Sequence, residues 1–402
     1  MSSLRDRYID YTQTERDGHL PVLDGARALF VLVVACFHIW QQSWLTPVLT
    51  FGNWKISMDP LLRSGYMWVD AMLMLSGFLL YMPCAEAAEA GRPLPSVGRF
   101  YKKRLARIVP SYYLCVLLVL LIVALPQGSY RDGGRFSPWL MTRDLLAHAT
   151  FTHTLFPFSY TGSPLNGALW TLGVEMQFYL IFPLLARLFR RWPAIVYCVM
   201  LAVAVGYCEW VKTRPDSTLL FNQLPAQLGA YANGMLAAGI YTSLKRRMKQ
   251  DGYTRALFTA ITLICLGCIW LLAKGQAAEN GYENIRLGQM NRRFLMSGLC
   301  ALLCLGLLYG VRPVRLLMGN RVTAFLSAVS FQFYMYHQIL AVELKNAHIP
   351  ASVSDTPWMT GERSWQILFV VLCFAIALAL SALLTYAFER PISRRILGRP
   401  RP

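Results

Sequence analysis

Arg27, His38, Asp70, Glu175 and His337 each interrupt an otherwise apolar run. Ionisable groups inside bilayer-length segments are rare and usually functional. His38 is the natural general base among them. Its ordinary pKa lies near neutrality, and its ring can take a proton from a hydroxyl. A carboxylate beside it would orient the ring and stabilise the imidazolium. Asp70 and Glu175 both suit that role, and the sequence does not choose between them. In "LDGARALFVLVVACFHIW", Arg27 and His38 are 11 positions apart. At 100° per residue that is about 20° beyond three helical turns, so the spacing predicts one shared face, with about 16 Å between the two groups. Asp24 is expected to cap the start of this helix, and Gly25 to allow close packing. Counted from the cytoplasmic boundary of each span, His38, Asp70, Glu175 and His337 lie about 16–22 Å deep. Four such groups at one level predict a shared polar chamber, open toward the outside or capped from there. The plainer reading of any one of them is a buried polar group satisfied by a neighbouring helix.

A second cluster is "RFYKKRLARIVPSYY", residues 99–113. Arg104 and Arg107 are spaced i, i+3 and face one way on a helix. Paired guanidinium groups suit phosphates, and Lys103 adds charge nearby. Positive-inside anchoring accounts for part of this cluster as well. Together the two clusters predict a phosphate-bearing donor held at the cytoplasmic face and a base deeper in.

The elements that must position these residues follow from composition. Of 402 residues, 55% are hydrophobic and 15% charged, the signature of a multi-pass membrane protein. The fold class expected is all-α: a polytopic membrane helical bundle of about ten transmembrane helices. Spans are predicted at about 23–44, 66–84, 108–126, 166–186, 193–211, 223–243, 256–273, 294–311, 322–341 and 364–388. The fourth and sixth are the most polar and are expected to face the bundle interior. With a cytoplasmic N-terminus, 25 of the 39 Lys and Arg residues fall on the inner side and 13 on the outer. Both termini are therefore expected in the cytoplasm. The predicted organisation is an N-terminal segment 1–22, a membrane domain 23–390 and a basic tail 391–402. No cleavable signal peptide is read at the start.

The net charge of +18 does not indicate nucleic-acid binding, because the basic residues lie in short clusters between apolar runs. Most of the ten cysteines fall inside those runs, so a disulfide scaffold is not expected. Cys265 and Cys268 have metal-like spacing without a His or acidic partner, and no metal is predicted. His148 and His153, in the long outer segment 127–165, are read as surface histidines beside the membrane. Around them "TRDLLAHATFTHTLF" is expected to form an interfacial or re-entrant helix.

These blocks resemble the membrane-bound acyltransferase-3 family. "LDGARALFVLVVACFH" is similar to its opening signature, and "VDAMLMLSGFLL" to its aspartate-containing segment. "RFYKKRLARIVPSYY" matches its R-x-x-R loop followed by proline. "LWTLGVEMQFYLIFPLL" matches its W-x-L-x-x-E-x-x-F-Y-x-x-x-P segment, "SFQFYMYHQIL" its Y-x-x-H segment and "FERPISRR" its usual ending. The blocks run in family order along nearly the whole chain. Leu29 departs from the usual glycine, and "AMLMLSGF" from the usual phenylalanine-rich span.

The resemblance implies a transmembrane O-acyltransferase. It would move an acyl group, most often acetyl, from cytoplasmic acyl-CoA (acetyl-CoA) to an extracytoplasmic hydroxyl. The acceptor would be a cell-surface saccharide or glycolipid, or a macrolide or other secondary metabolite. On that analogy Arg27 and His38 are the catalytic pair, with Glu175 and Asp70 in the polar chamber. Arg104, Arg107 and Lys103 bind the donor, and Ser76 and Gly77 pack helices near its path. Phe178 belongs to the active chamber with Glu175, and Trp170, Tyr179, Tyr336 and His337 bind the substrate. The location implied is the bacterial plasma membrane, and the role is modification of envelope polysaccharides. Transfer is expected to finish in the membrane domain or to pass to a separate partner. A proton-coupled transporter would also bury Asp, Glu and His, but it predicts repeat symmetry that the sequence lacks. A non-catalytic scaffold in polysaccharide assembly is a third reading.

Overall fold

The computed structural model describes residues 19–398. Residues 1–18 of the expected N-terminal segment and 399–402 of the expected basic tail lie outside the described residues. The longer helices are, in chain order, α1 (Pro21–Ser43), α2 (Trp68–Glu89), α3 (Val97–Val119), α4 (Pro138–Ala149), α5 (Trp170–Arg191), α6 (Pro193–Lys212), α7 (Leu224–Arg247), α8 (Gly252–Ala277), α9 (Tyr282–Tyr309), α10 (Arg321–Asn346), α11 (Arg363–Leu384) and α12 (Arg390–Leu397). Among the described residues, strand is confined to two small antiparallel hairpins, Val48–Phe51 with Trp54–Ser57 and Arg131–Asp132 with Arg135–Phe136. The protein is an all-α polytopic membrane protein.

Each of the ten expected spans is a helix. Among the described residues, eight helices are long and apolar enough to cross a membrane. The exceptions are α7 and α10, and the reason is what they bury. In α7 the buried residues include Gln227, Asn233 and Thr242; in α10 they include Ser327, Ser330, Gln332 and His337. A span that faces protein rather than lipid can carry such groups when neighbours satisfy them. Asn233 donates to Ser297 Oγ at 2.9 Å, and Ser330 Oγ donates to the Ser327 carbonyl at 2.8 Å. By contrast α11 shows Ile367, Leu368, Val371 and Leu383 on its exposed side, as a lipid-facing helix does.

The chain divides into two compact units interleaved in sequence. Among the described residues, one comprises the chain up to 93 together with 229–379, and the other 94–228 together with the chain from 380. In the first, α1 packs along α10, α8 along α9, and α9 against α2. Close approach of backbones is what allows this. A Cβ on Gly77 would meet the Tyr231 carbonyl oxygen at 2.6 Å, and Gly25 and Gly234 sit equally tightly against Met318 and Met74.

Helix α1 begins at Pro21, whose missing N–H is no loss in a first turn. That start lies two residues before the expected one, and it changes the role of Asp24. Leu20 is the N-cap and makes no side-chain cap bond. Asp24 instead pairs with His19 at 3.0 Å and accepts from Ser327 Oγ at 3.1 Å, tying α1 to α10. The capping expectation is therefore replaced by a link between helices.

In the second unit α3 carries the basic cluster on a regular helix and runs into a π-turn at Leu120–Ala124. Helix α12 packs on α3, and α5 on α6. The outer segment folds into α4 and two short turns around a polar core of its own. Ser137 caps α4 by accepting from the Leu140 N–H.

Candidate active site

Helix α1 is unbroken from Pro21 to Ser43, so Arg27 and His38 share one face along about 16 Å of axis. The hydrogen bond of the His38 ring runs to another helix. Its Nδ1 lies 2.8 Å from His337 Nε2, with ring centroids 5.0 Å apart and planes inclined by 25°. His337 is fully buried on α10, and its Nδ1 lies 3.0 Å from the Phe333 carbonyl oxygen. Phe37 packs on His38, and Phe333 and Tyr334 pack on His337. Two of the ionisable groups expected at one depth thus meet directly, across 299 positions of sequence. Tyr336 is buried beside His337 on the same helix.

Asp70 has a different partner. Its carboxylate accepts from Arg293 Nε at 3.1 Å, and both side chains are buried. The partner of His38 Nδ1 is a second imidazole, and Asp70 is committed to Arg293. Arg293 stands just outside the span expected at 294–311. In the structure α9 starts at Tyr282 and carries it inward. The same helix turn supplies Arg292, which donates to Glu279 at 2.9 Å and to Gln276 at 2.8 Å, while Gln276 donates to Tyr66. Arg286 pairs with Glu283. Arg286, Arg292 and Arg293 are thereby each matched with a carboxylate.

In the second unit the other predicted residues come together. Arg104 Cζ sits 5.8 Å from the ring centroids of both Phe100 and Tyr179, within cation–π range. Tyr179 donates its hydroxyl proton to Glu175 Oε1 at 2.5 Å. These two are i, i+4 on α5, which begins at Trp170. Arg104 and Arg107 both act electrostatically on Tyr179. Arg104 Nε is buried and has no hydrogen-bond partner among the described residues. A guanidinium with an unused buried donor, lying on an aromatic shelf, fits an incoming anionic group. Lys103, by contrast, is exposed. Ser76 lies one residue before Gly77 on α2.

The outer histidines are not surface residues. His148 and His153 are each 2% exposed and stack at 4.4 Å between centroids, their planes 11° apart. Asp144 organises them. It pairs with His148 at 3.2 Å and accepts from Tyr130 at 2.7 Å and Ser163 at 2.6 Å. His153 Nε2 bonds the Leu169 carbonyl at 3.2 Å, and its Nδ1 lies 3.3 Å from the Tyr112 hydroxyl. Burial, then the neighbouring His148, pushes the His153 imidazole down to about 3. Burial and Asp144 raise the Tyr130 hydroxyl. Among the described residues no group of three His, Cys, Asp or Glu could hold a metal ion, and Cys265 and Cys268 are free thiols.

Buried histidine, carboxylate and arginine groups in a polytopic helical protein, with a guanidinium pair at the start of one span, are groups that a membrane-embedded group-transfer enzyme needs. The family model described as an acyltransferase domain matches residues 20–386, and the chain belongs to this acyltransferase-3 family. It is 24% identical over 339 residues to a putative acetyltransferase of Acidianus two-tailed virus, covering 84% of this chain and 87% of that protein. It is 28% identical over 206 residues to nodulation protein 10 of Rhizobium leguminosarum bv. viciae, covering 46% of this chain and 50% of the other. It is also 24% identical over 208 residues to a peptidoglycan O-acetyltransferase of Listeria monocytogenes, covering 48% of this chain and 29% of that one. The chain thus spans half or less of the latter two relatives. No solved structure matches it.

Proposed function

We propose that this acyltransferase moves an acetyl or other short acyl group from cytoplasmic acyl-CoA to a hydroxyl on an extracytoplasmic saccharide or glycolipid. The observation that carries the reading is the pairing of His38 with His337 inside the bundle, on the helix that also presents Arg27. The orphaned Nε of Arg104 supports a phosphate-bearing donor, since a CoA phosphate would supply the missing acceptor. The name of the Listeria relative supports a glycan acceptor.

In this reading Arg104 and Arg107 take the CoA phosphates, and His38 serves as the base for the thioester reaction. His38 removes the hydroxyl proton as the oxygen attacks the thioester carbonyl. The carbon–sulfur bond breaks, and the thiolate leaves and regains that proton from His38. Arg27 guides the carbonyl-bearing donor. Glu175, Trp170, Tyr179 and Tyr336 face the substrates. Both termini lie in the cytoplasm, the membrane domain runs over 23–390, and the protein resides in the bacterial plasma membrane. The test is purified protein in nanodiscs given radiolabelled acetyl-CoA and hydroxyl acceptors. Label should move to the acceptor with release of free CoA. Absence of both CoA release and transfer with every acyl-CoA tried would remove the donor assignment.

A further inference from the structure

We infer that His337 is a positioning residue that fixes the tautomer of His38 and leaves His38 Nε2 as the proton-accepting atom. This rests on the reading of His38 as the base and specifies how that base is prepared. The argument starts at a carbonyl. The Phe333 oxygen can only accept, so His337 Nδ1, 3.0 Å away, must carry a hydrogen. A neutral imidazole has one N–H, so His337 Nε2 is then a bare acceptor. The atom 2.8 Å from it, His38 Nδ1, must therefore be the donor. Neutral His38 then has its lone pair on Nε2, the ring nitrogen that His337 does not engage.

The arrangement resembles a catalytic triad in its logic, with a neutral imidazole in the place of the buried carboxylate. The chain of bonds runs from a backbone carbonyl through His337 to His38, and its direction is set by the one group that cannot donate. Helix geometry supplies that group, since Phe333 is four residues before His337 on α10. The rings of Phe37, Phe333 and Tyr334 hold the two imidazoles in place. When His38 accepts a proton at Nε2, its Nδ1–H becomes a charge-assisted donor to His337, which stabilises the cation without a second charge nearby. His337 touches His38, not the reacting atoms.

Two variants and one spectrum test this. His337→Gln keeps an acceptor near the place of Nε2, whereas His337→Met fills similar space without one. Transfer by His337→Met should fall about 100-fold in kcat with KM for acetyl-CoA unchanged. His337→Gln should stay within about tenfold of the parent. Equal losses in both, or no loss in either, would overturn the acceptor role. Thermal melting of each variant in the nanodisc checks that both are folded. A third measurement needs no turnover. In protein labelled with 15N-histidine, with His38→Asn to assign the signal, the neutral His38 ring should show a protonated Nδ1. A protonated Nε2 would overturn the tautomer. If His38→Ala kept full transfer, the base reading would fall, and the nitrogen spectrum would still decide the tautomer by itself.

Discussion

Two pairs of histidines lie in this protein, and they differ in what their nitrogens do. His148 and His153 stack face to face at 4.4 Å, and their nitrogens are directed at Asp144, Tyr112 and the Leu169 carbonyl. Both nitrogens of His153 are occupied, so it has no lone pair to offer a substrate. His38 and His337 meet edge to edge through one 2.8 Å bond, and His38 is only partly buried. The first pair has the pattern of a structural polar core and the second that of a chemical site. What separates His153 from His38 is that both of its ring nitrogens are engaged, whereas His38 has one engaged by His337.

The largest effect that tests this contrast is on turnover. His38→Ala should lower transfer by about 1000-fold while the purified protein keeps its melting temperature. Substantial activity in that variant would end the contrast, because the open nitrogen would then be idle. His153→Ala should do the reverse. It leaves the Leu169 carbonyl and Tyr112 without a partner and opens a cavity, so stability should drop by about 2–4 kcal/mol. Denaturant unfolding in detergent measures this, and folded protein should turn over at the parental rate within a few-fold. A smaller effect is expected at the donor side. Arg104→Ala should raise KM for acetyl-CoA about tenfold with kcat little changed. An unchanged KM would contradict the phosphate assignment.

The smallest effect concerns acid. The His153 ring stays neutral in the folded protein down to about pH 3. In the unfolded chain it takes a proton near its ordinary pKa of about 6.5. Between those values the unfolded state binds more protons, so this group favours unfolding increasingly as pH falls from about 6.5 toward 3. His153→Gln should flatten the fall in melting temperature over that window. An identical pH profile in the variant would show that the ring does not report folding.

What could be read from the chain alone was what is local. The shared face of Arg27 and His38 follows from helical periodicity, and so does the i, i+3 pair Arg104 and Arg107. Each needs only one regular helix. The partner of His38 lies 299 residues away, and no local spacing encodes it. The Asp70–Arg293 bond was hidden for a related reason. Arg293 stands at a boundary set by hydropathy, whereas the helix itself extends eleven residues further out, to Tyr282. The outer histidines were misjudged because a polar segment was read as surface. Asp144, Tyr130 and Ser163 give that segment a core that hydropathy cannot reveal, since it is built from hydrogen bonds. Asp24 followed the capping pattern but lost the cap when Pro21 opened the helix earlier.

The crossing of α2 and α7 near Gly77 and Gly234 has a mechanical consequence. With peptide planes in direct contact and no side chains between them, neither helix can slide or pivot without tearing open an unfilled gap. That part of the unit behaves as a rigid frame. Any conformational change in this unit therefore has to hinge away from that crossing.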